Sequence, residues 1–271
     1  MINNVLDASY IVMKIEAVKT CKIKPNQSTI FDILDRYLLR LEERSIVAVT
    51  SKIVAICEGN VVKKANVDKK ELIESEAEYI LPMRKNKYDI TLTLKRNILI
   101  PTAGIDESNG AGYYILWPKD PQKSANEIRK YLRKKLAVKK VGVIITDSKT
   151  VPLRRGTSGV SLAHSGFLGL NSYIGRKDIF GSKLKVTNAN IMDGLAAAAV
   201  LAMGEGKEQT PLAIITDIPF AKFKENNPSE RELNDLKIEL KDDLYAPLLI
   251  NDKWKKAGKR FLTKKAKSSR M

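Results

Sequence analysis

A chain of 271 residues, 44% hydrophobic and 29% charged, can bury a sizeable core and suits one large or two small domains. No apolar run approaches the ~20 residues that span a bilayer, the longest being Leu195 to Met203, so a membrane partner is not expected. The net charge of +17 is concentrated at one end: residues 252–271 hold nine Lys or Arg against one Asp, close to half of the excess, and the rest of the chain is only moderately basic.

The predicted elements follow in chain order. Residues 9–19, SYIVMKIEAVK, read as an opening strand, and Thr29 to Glu43 as an amphipathic helix with Ile30, Leu34, Tyr37, Leu38 and Leu41 on one face and Thr29 with Asp32 at its start. Ser45 to Thr50 is a buried strand with Ser51-Lys52 at its exit, and Val61-Val62 a short strand. Lys69 to Tyr79 is predicted helical, and Ile90 to Leu94 and Asn97 to Pro101 are predicted strands. Ser124 to Leu136 is predicted as a helix with Ser124 and Glu127 spaced as a capping box. Leu184 to Val186 reads as a strand, Met192 to Met203 as an Ala-rich helix, Leu212 to Thr216 as a final strand, and 223–243 as mixed helix and loop. Strands and helices alternate only loosely, so the expected class is mixed α/β (α+β) rather than a regular doubly wound sheet. The expected organisation is one catalytic domain over 1–251 and a basic tail over 252–271. Cys21 and Cys57 give neither a disulfide framework nor a cysteine metal site, and no leader segment is visible, so a cytoplasmic setting is expected.

Chemistry gathers around residues 141–159. Val141, Val143, Ile144 and Ile145 form a β-branched run buried on both faces, and the run is expected to end at Asp147-Ser148. A carboxylate and a hydroxyl at the carboxyl end of a buried strand stand where open α/β sheets place ligand-contacting groups. Arg154 and Arg155 follow on a turn and could hold phosphate or carboxylate bidentately. The plainer alternative is a strand cap with a solvated turn. Two further segments set an acid beside glycine, Gly104-Ile105-Asp106 and Gly204-Glu205-Gly206. Hard divalent cations take such oxygen donors together with substrate phosphates, and glycines let backbone N–H groups approach phosphate oxygens. Gly204-Glu205-Gly206-Lys207 has neither the spacing nor the hydroxyl of a Walker A loop, and no Gly-x-Gly-x-x-Gly follows a strand.

Taken together, these segments resemble the coenzyme F420-0:γ-glutamyl ligases. The resemblance rests on Thr50-Ser51-Lys52-Ile53-Val54 with Glu58-Gly59, Ala103-Gly104-Ile105-Asp106 with Ser108-Asn109, Ile144-Ile145-Thr146-Asp147 with Arg154-Arg155-Gly156, Ile174 to Gly181, and the Ala196 to Met203 helix with Gly204-Glu205-Gly206. They occur in the family's order from about residue 15 to 220. The resemblance implies Asp106 and Asp147 as ligands of one metal, and Ser148 and Glu205 as ligands of a second, with two Mg²⁺ or Mn²⁺ ions. It implies GTP or ATP as co-substrate, contacted by Ser51, Lys52, Asn109 and the loop of Met203, Gly204, Gly206 and Lys207. The implied reaction joins L-glutamate to a cofactor carboxylate through an acyl phosphate, in a homodimer. Arg154, Arg155, Arg176 and Lys177 are assigned from charge and position to hold anionic substrate groups.

The chain departs from the family's pattern where Ile56 replaces a Lys, Thr20-Cys21-Lys22 replaces Gly-x-Pro, Thr150-Val151 replaces Gly-Arg, and Gly194 replaces a Glu. The metal positions survive while substrate-side positions differ, which implies a changed acceptor. The stretch from Asp147 to Arg154 is more similar to members placed in folate metabolism. An alternative of another class is a basic nucleic-acid-binding protein on a retired ligase fold, acting through the tail; the body lacks the aromatic-basic interleaving that stacks bases. His164, the single histidine, is expected to be structural, Trp117 and Trp254 to serve packing, and Asp178 to pair with its basic neighbours.

Overall fold

A computed structural model describes residues 12–82, 88, 90–250 and 253–257. The start of the predicted opening strand (9–11) and most of the basic tail lie outside the described residues. The strands are β1 (Lys14–Val18), β2 (Ile46–Thr50), β3 (Val61–Lys63), β4 (Tyr79–Leu81), β5 (Leu92–Lys95), β6 (Ile98–Pro101), β7 (Tyr113–Ile115), β8 (Gly142–Lys149), β9 (Ser158–Ser165), β10 (Leu170–Ser172), β11 (Asn188–Asn190), β12 (Leu212–Thr216) and β13 (Lys255–Lys256). The helices are α1 (Ile30–Tyr37), α2 (Ser51–Cys57), α3 (Lys69–Glu76), α4 (Pro121–Leu136), α5 (Ile191–Met203), α6 (Glu230–Asn234) and α7 (Ala246–Leu249). This is the mixed α/β architecture expected.

The main sheet has the order β1-β12-β2-β8-β9. Its centre is the parallel pair β2–β8, and every other pairing in it is antiparallel. Alternate residues leave the sheet on opposite faces. Val47, Val49, Val143 and Ile145 therefore meet Leu34 and Leu38 from α1 and its exit and Ile128 and Leu132 of α4. Ile46, Ala48 and Ile144 meet Leu195, Ala196 and Ala199 of α5 on the other face. Apart from it there are the small pair β10–β11 and, forming a second part, an antiparallel sheet, β13-β4-β5-β6, with the pair β3–β7. Residues 255–257 of the expected tail belong to this part: β13 pairs with β4, and Ala257 packs on the cluster of Val62, Leu72 and Leu116.

Several predicted elements are relocated. The run at 141–145 does not stop at Asp147; the strand continues to Lys149 because β9 returns as its hairpin partner. Helix α4 begins at Pro121, with Asp120 accepting from the Lys123 N–H at 3.0 Å, so Ser124 is not its cap. Ser124 instead donates to Glu58 at 2.6 Å. Helix α1 keeps its predicted start, where Thr29 and Asp32 form a capping box, but ends at Tyr37, and the chain then turns to bury Leu38. Helix α3 ends at Glu76, since Tyr79 starts a strand against β5. Residues 184–186 form no strand; the pairing lies further on, at β11. Strands β9 and β10 and helix α2, which starts at Ser51 with no intervening loop, were not predicted.

Gly159 is required where β9 crosses α5, because a Cβ there would sit 2.3 Å from the Ala196 carbonyl oxygen. Backbone cannot yield as a flexible side chain can, so Gly159→Ala is expected to lower the melting temperature by roughly 4–10 °C, read by thermal unfolding.

His164 lies in β9, buried, with its ring edge-on to Phe167 at 5.2 Å and no partner for Nδ1 among the described residues. Burial lowers its pKa to about 4 from 6.5, partly opposed by the charge of Glu232. The unfolded chain therefore binds the proton first, and stability should fall as pH drops from about 6.5 to 4, by about 3 kcal/mol in total. Denaturant titrations across that window should show this slope, and His164→Met should flatten it.

Candidate active site

The parallel pairing of β2 with β8 aligns Thr50 with Thr146, so Ser51, where β2 gives way to α2, and Asp147, next along β8, come side by side. A cavity of about 460 Å³ opens there. Its wall brings together Ser51, Lys52, Asp106, Asn109, Asp147, Ser148, Met203, Gly204, Glu205, Gly206 and Lys207, all the residues assigned from sequence to metal and nucleotide. Two departures from the family pattern, Ile56 and Thr20-Cys21-Lys22, line the same wall. Arg154 and Arg155, on the connection between β8 and β9, and Arg176 and Lys177, near Tyr173, are exposed and do not line the cavity. Arg176 lies 5.1 Å over the Tyr173 ring. Asp178 accepts from the Phe180 and Ser182 N–H groups at 2.9 Å, so it closes a turn rather than simply pairing with its basic neighbours.

Asp147 is only partly exposed as a residue, and its carboxyl group is enclosed. Burial pushes its pKa up to about 6; hydrogen bonds from Trp117, the Ser148 N–H and Ser51 oppose this, and the negative charge of Asp106 adds to it. Trp117, assigned from sequence to packing, is thus a site residue whose indole Nε1–H donates to Asp147 Oδ2. Its position depends on Gly104, whose φ is +70° and where a Cβ would lie 2.2 Å from the indole nitrogen. Lys95 lies 5.1 Å over the Trp117 ring, and its ammonium also reaches Glu76 at 3.2 Å and the Ala103 carbonyl at 3.1 Å. A cation on the ring face polarises the indole and strengthens its N–H as a donor. Nothing in the spacing of residues 95, 104, 117 and 147 announces this chain; it exists only once the two sheets are folded together.

Asp106 arrives from the other sheet's side, tied by backbone hydrogen bonds to Ile115 at 2.7 and 2.9 Å. Lys52 Nζ lies 2.7 Å from Asp106 Oδ2, and Asp106 Oδ1 accepts from the Ser108 N–H at 2.6 Å. Beyond α5, Glu205 accepts from Ser148 Oγ at 3.3 Å and from Thr157 Oγ1 at 3.2 Å. Asn109 Nδ2 donates to the Gly206 carbonyl at 2.9 Å, and the Gly206 N–H donates to Glu208 at 2.7 Å. The N–H foreseen for a phosphate is therefore already bonded to a carboxylate of the chain itself.

The donors gathered here, Asp106, Asp147, Ser148 and Glu205, are all oxygens, the set that hard divalent cations prefer. Among the described residues no three His, Cys, Asp or Glu side chains cluster to enclose a metal. That arrangement fits ions held by one or two carboxylates and completed by substrate phosphate, and Lys52 shows that Asp106 already draws a cation.

The enclosed Asp147 charge carries a test. Its folded pKa of about 6 lies above the ordinary 3.8, so without metal the folded state loses stability as pH rises through that window, by about 3 kcal/mol, and stays penalised above it. Asp147→Asn removes the charge and keeps an acceptor for Trp117. Its melting temperature in chelator at about pH 7.5 should exceed wild type by several degrees, with the gap closing near pH 4.

Among the described residues, no helix is long and apolar enough to cross a membrane. Residues 17–217 match the family described as F420-0:Gamma-glutamyl ligase. The chain is 36% identical over 218 residues to the coenzyme F420:L-glutamate ligase of Methanococcus maripaludis strain C6, covering 74% of this chain and 86% of that one. It is 36% identical over 203 residues to the protein of that name from Methanocaldococcus jannaschii, covering 68% and 80% of the two chains. With that from Archaeoglobus fulgidus it shares 31% over 198 residues, 68% and 79% of the two. The ordered segments and the cavity they build thus sit in a chain that belongs to the F420-0:γ-glutamyl ligase family, and the protein is a C–N bond-forming ligase.

Proposed function

We propose that the protein joins L-glutamate to the carboxylate of an F420-0- or folate-type cofactor, with GTP or ATP and two Mg²⁺ or Mn²⁺ ions. The observation that carries this reading is the convergence of Asp106, Asp147, Ser148 and Glu205 with Ser51, Lys52 and the Asn109-pinned glycine loop on one cavity, in a chain of this family. The relatives support the F420-0 acceptor through their names; the departures at Thr20-Cys21-Lys22, Ile56 and Thr150-Val151 favour an altered one. They give the nucleic-acid-binding alternative no support.

In the proposed mechanism, the acceptor carboxylate attacks the γ-phosphorus, nucleoside diphosphate leaves, and an acyl phosphate forms. The amine of glutamate then attacks the acyl carbon, the new C–N bond forms, the C–O bond to phosphate breaks, and inorganic phosphate departs. Divalent metal would neutralise charge on the transferring phosphoryl group, with Asp106 and Asp147 holding one ion and Ser148 and Glu205 the other. Lys52 is assigned to anionic oxygens beside Asp106. Trp117, together with Ser51 and the Ser148 N–H, fixes the Asp147 carboxyl at the cavity wall. Arg154 and Arg155, on the connection that reaches Glu205 through Thr157, are proposed as rim cations for an incoming carboxylate, and Arg176 and Lys177 as a second, more remote pair. A homodimer and a cytoplasmic setting belong to the same proposal.

Incubation with Mg²⁺ or Mn²⁺, GTP or ATP, L-glutamate and either F420-0 or a reduced pteroyl-glutamate tests it. Mass spectrometry should find one glutamyl residue gained by one acceptor, with nucleoside diphosphate released and no product from Asp147→Ala. Absence of both product and nucleotide turnover would overturn the proposal.

A further inference from the structure

Thr146 is completely buried, and its Oγ1 has no hydrogen-bond partner among the described residues. Buried hydroxyls are normally paired, because an unpaired one forfeits its hydrogen bonds to water. Three other buried polar atoms are in the same position: His164 Nδ1, Asn171 Oδ1 and Trp254 Nε1. Of the four residues, Thr146 alone lines the cavity of the candidate active site.

The direction of its side chain follows from the pleat. Along β8, Ile144 packs on the α5 side and Ile145 on the α4 side. The register shift against β9 skips Leu162 on that strand, so the alternation along β8 runs on unbroken. Thr146 and Ser148 then share the α5 face, and Asp147 takes the other, towards Trp117. Ser148 bears this out by reaching Glu205. Thr146 therefore lies beneath Val200, Met203 and the glycine loop, on the side of the cavity that the family reading assigns to the nucleotide.

Resting on the ligase reading, we propose that Thr146 is a nucleotide-contacting residue, its hydroxyl, closed off in the empty protein, being uncovered as the cavity fills and making a hydrogen bond to the nucleoside triphosphate on the α5 side. The unpaired hydroxyl is then a cost carried by the empty protein and relieved by the ligand. Thr146→Val keeps the shape and removes the hydroxyl, and Thr146→Ser keeps the hydroxyl.

Isothermal titration of full-length wild type, Thr146→Val and Thr146→Ser with a non-hydrolysable GTP analogue, its ATP counterpart and pyrophosphate tests this, alongside melting curves without ligand. The Val variant should bind nucleotide about five- to tenfold more weakly while melting no lower than wild type, and the Ser variant should bind within about twofold of wild type. Parallel weakening of pyrophosphate would place the bond on the phosphates, and unchanged pyrophosphate would place it on the nucleoside. Unchanged nucleotide affinity in the Val variant, or a fall of several degrees in its ligand-free melting temperature, would overturn the inference while leaving the ligase reading intact. Wild type that binds no nucleotide would overturn both.

Discussion

The parallel pairing of β2 with β8 is the constraint on which the rest of the molecule depends. Both strands are buried on both faces, and their shared direction sends the chain out of the sheet at one edge, where Ser51 opens a helix and Asp147 ends the buried part of its strand. Had the two strands run antiparallel, these groups would lie at opposite ends of the sheet. Helices α1 and α4 on one face and α5 on the other exclude water from the strands. Helix α5 then delivers Gly204 and Glu205 to the same opening, and the connection between β6 and β7 contributes Asp106 and Asn109.

Placing a carboxylate at the rim of such a core is costly. Asp147 is held against its own desolvation by three donors, and the principal one, Trp117, is itself held by Gly104 and by a lysine stacked on its ring. The adjoining backbone is bent to allow this. Thr102 and Ala103 both have φ in the left-handed region, at 50° and 55°, an arrangement that residues with a Cβ avoid. Lys95 and Thr93 hold that bend through the Ala103 carbonyl and N–H. Strain and buried charge, each unfavourable for folding, meet within one short path, as expected where a protein keeps a group ready for a ligand.

Much of the site was legible because its groups follow local signals. Asp147 stands after a dense β-branched run, Glu205 between two glycines after an apolar helix, and Asp106 after Pro101 and a tight glycine turn. Strand β9 was not legible: Ser158-Gly159-Val160-Ser161-Leu162-Ala163-His164-Ser165 is poor in β-branched residues, and its place comes from the hairpin with β8 and from packing between α4 and α5. Trp117 escaped for another reason, since an indole reads as packing wherever it falls and only the fold supplies its acceptor. The exposed basic residues stand apart from both cases. Charge and position alone drew Arg154, Arg155, Arg176 and Lys177 towards the chemistry, whereas the structure leaves them on surface connections.

The order of strands in the main sheet also governs how the molecule can be built. Among the described residues, β1 has β12 as its sole neighbour in that sheet, pairing Lys14 with Thr216, and β2 is flanked by β8 and β12, which come about 100 and 165 residues later in the chain. A nascent chain therefore carries β2 unpaired until β8 has emerged and β1 unpaired through most of its synthesis, and the sheet closes only when β12 has emerged to fit between them. Such long-range closure makes for slow folding and a long exposure of strand edges. The fold that gathers the site so closely at one edge thus obliges the chain to wait for nearly its last strand before the sheet behind that edge is complete.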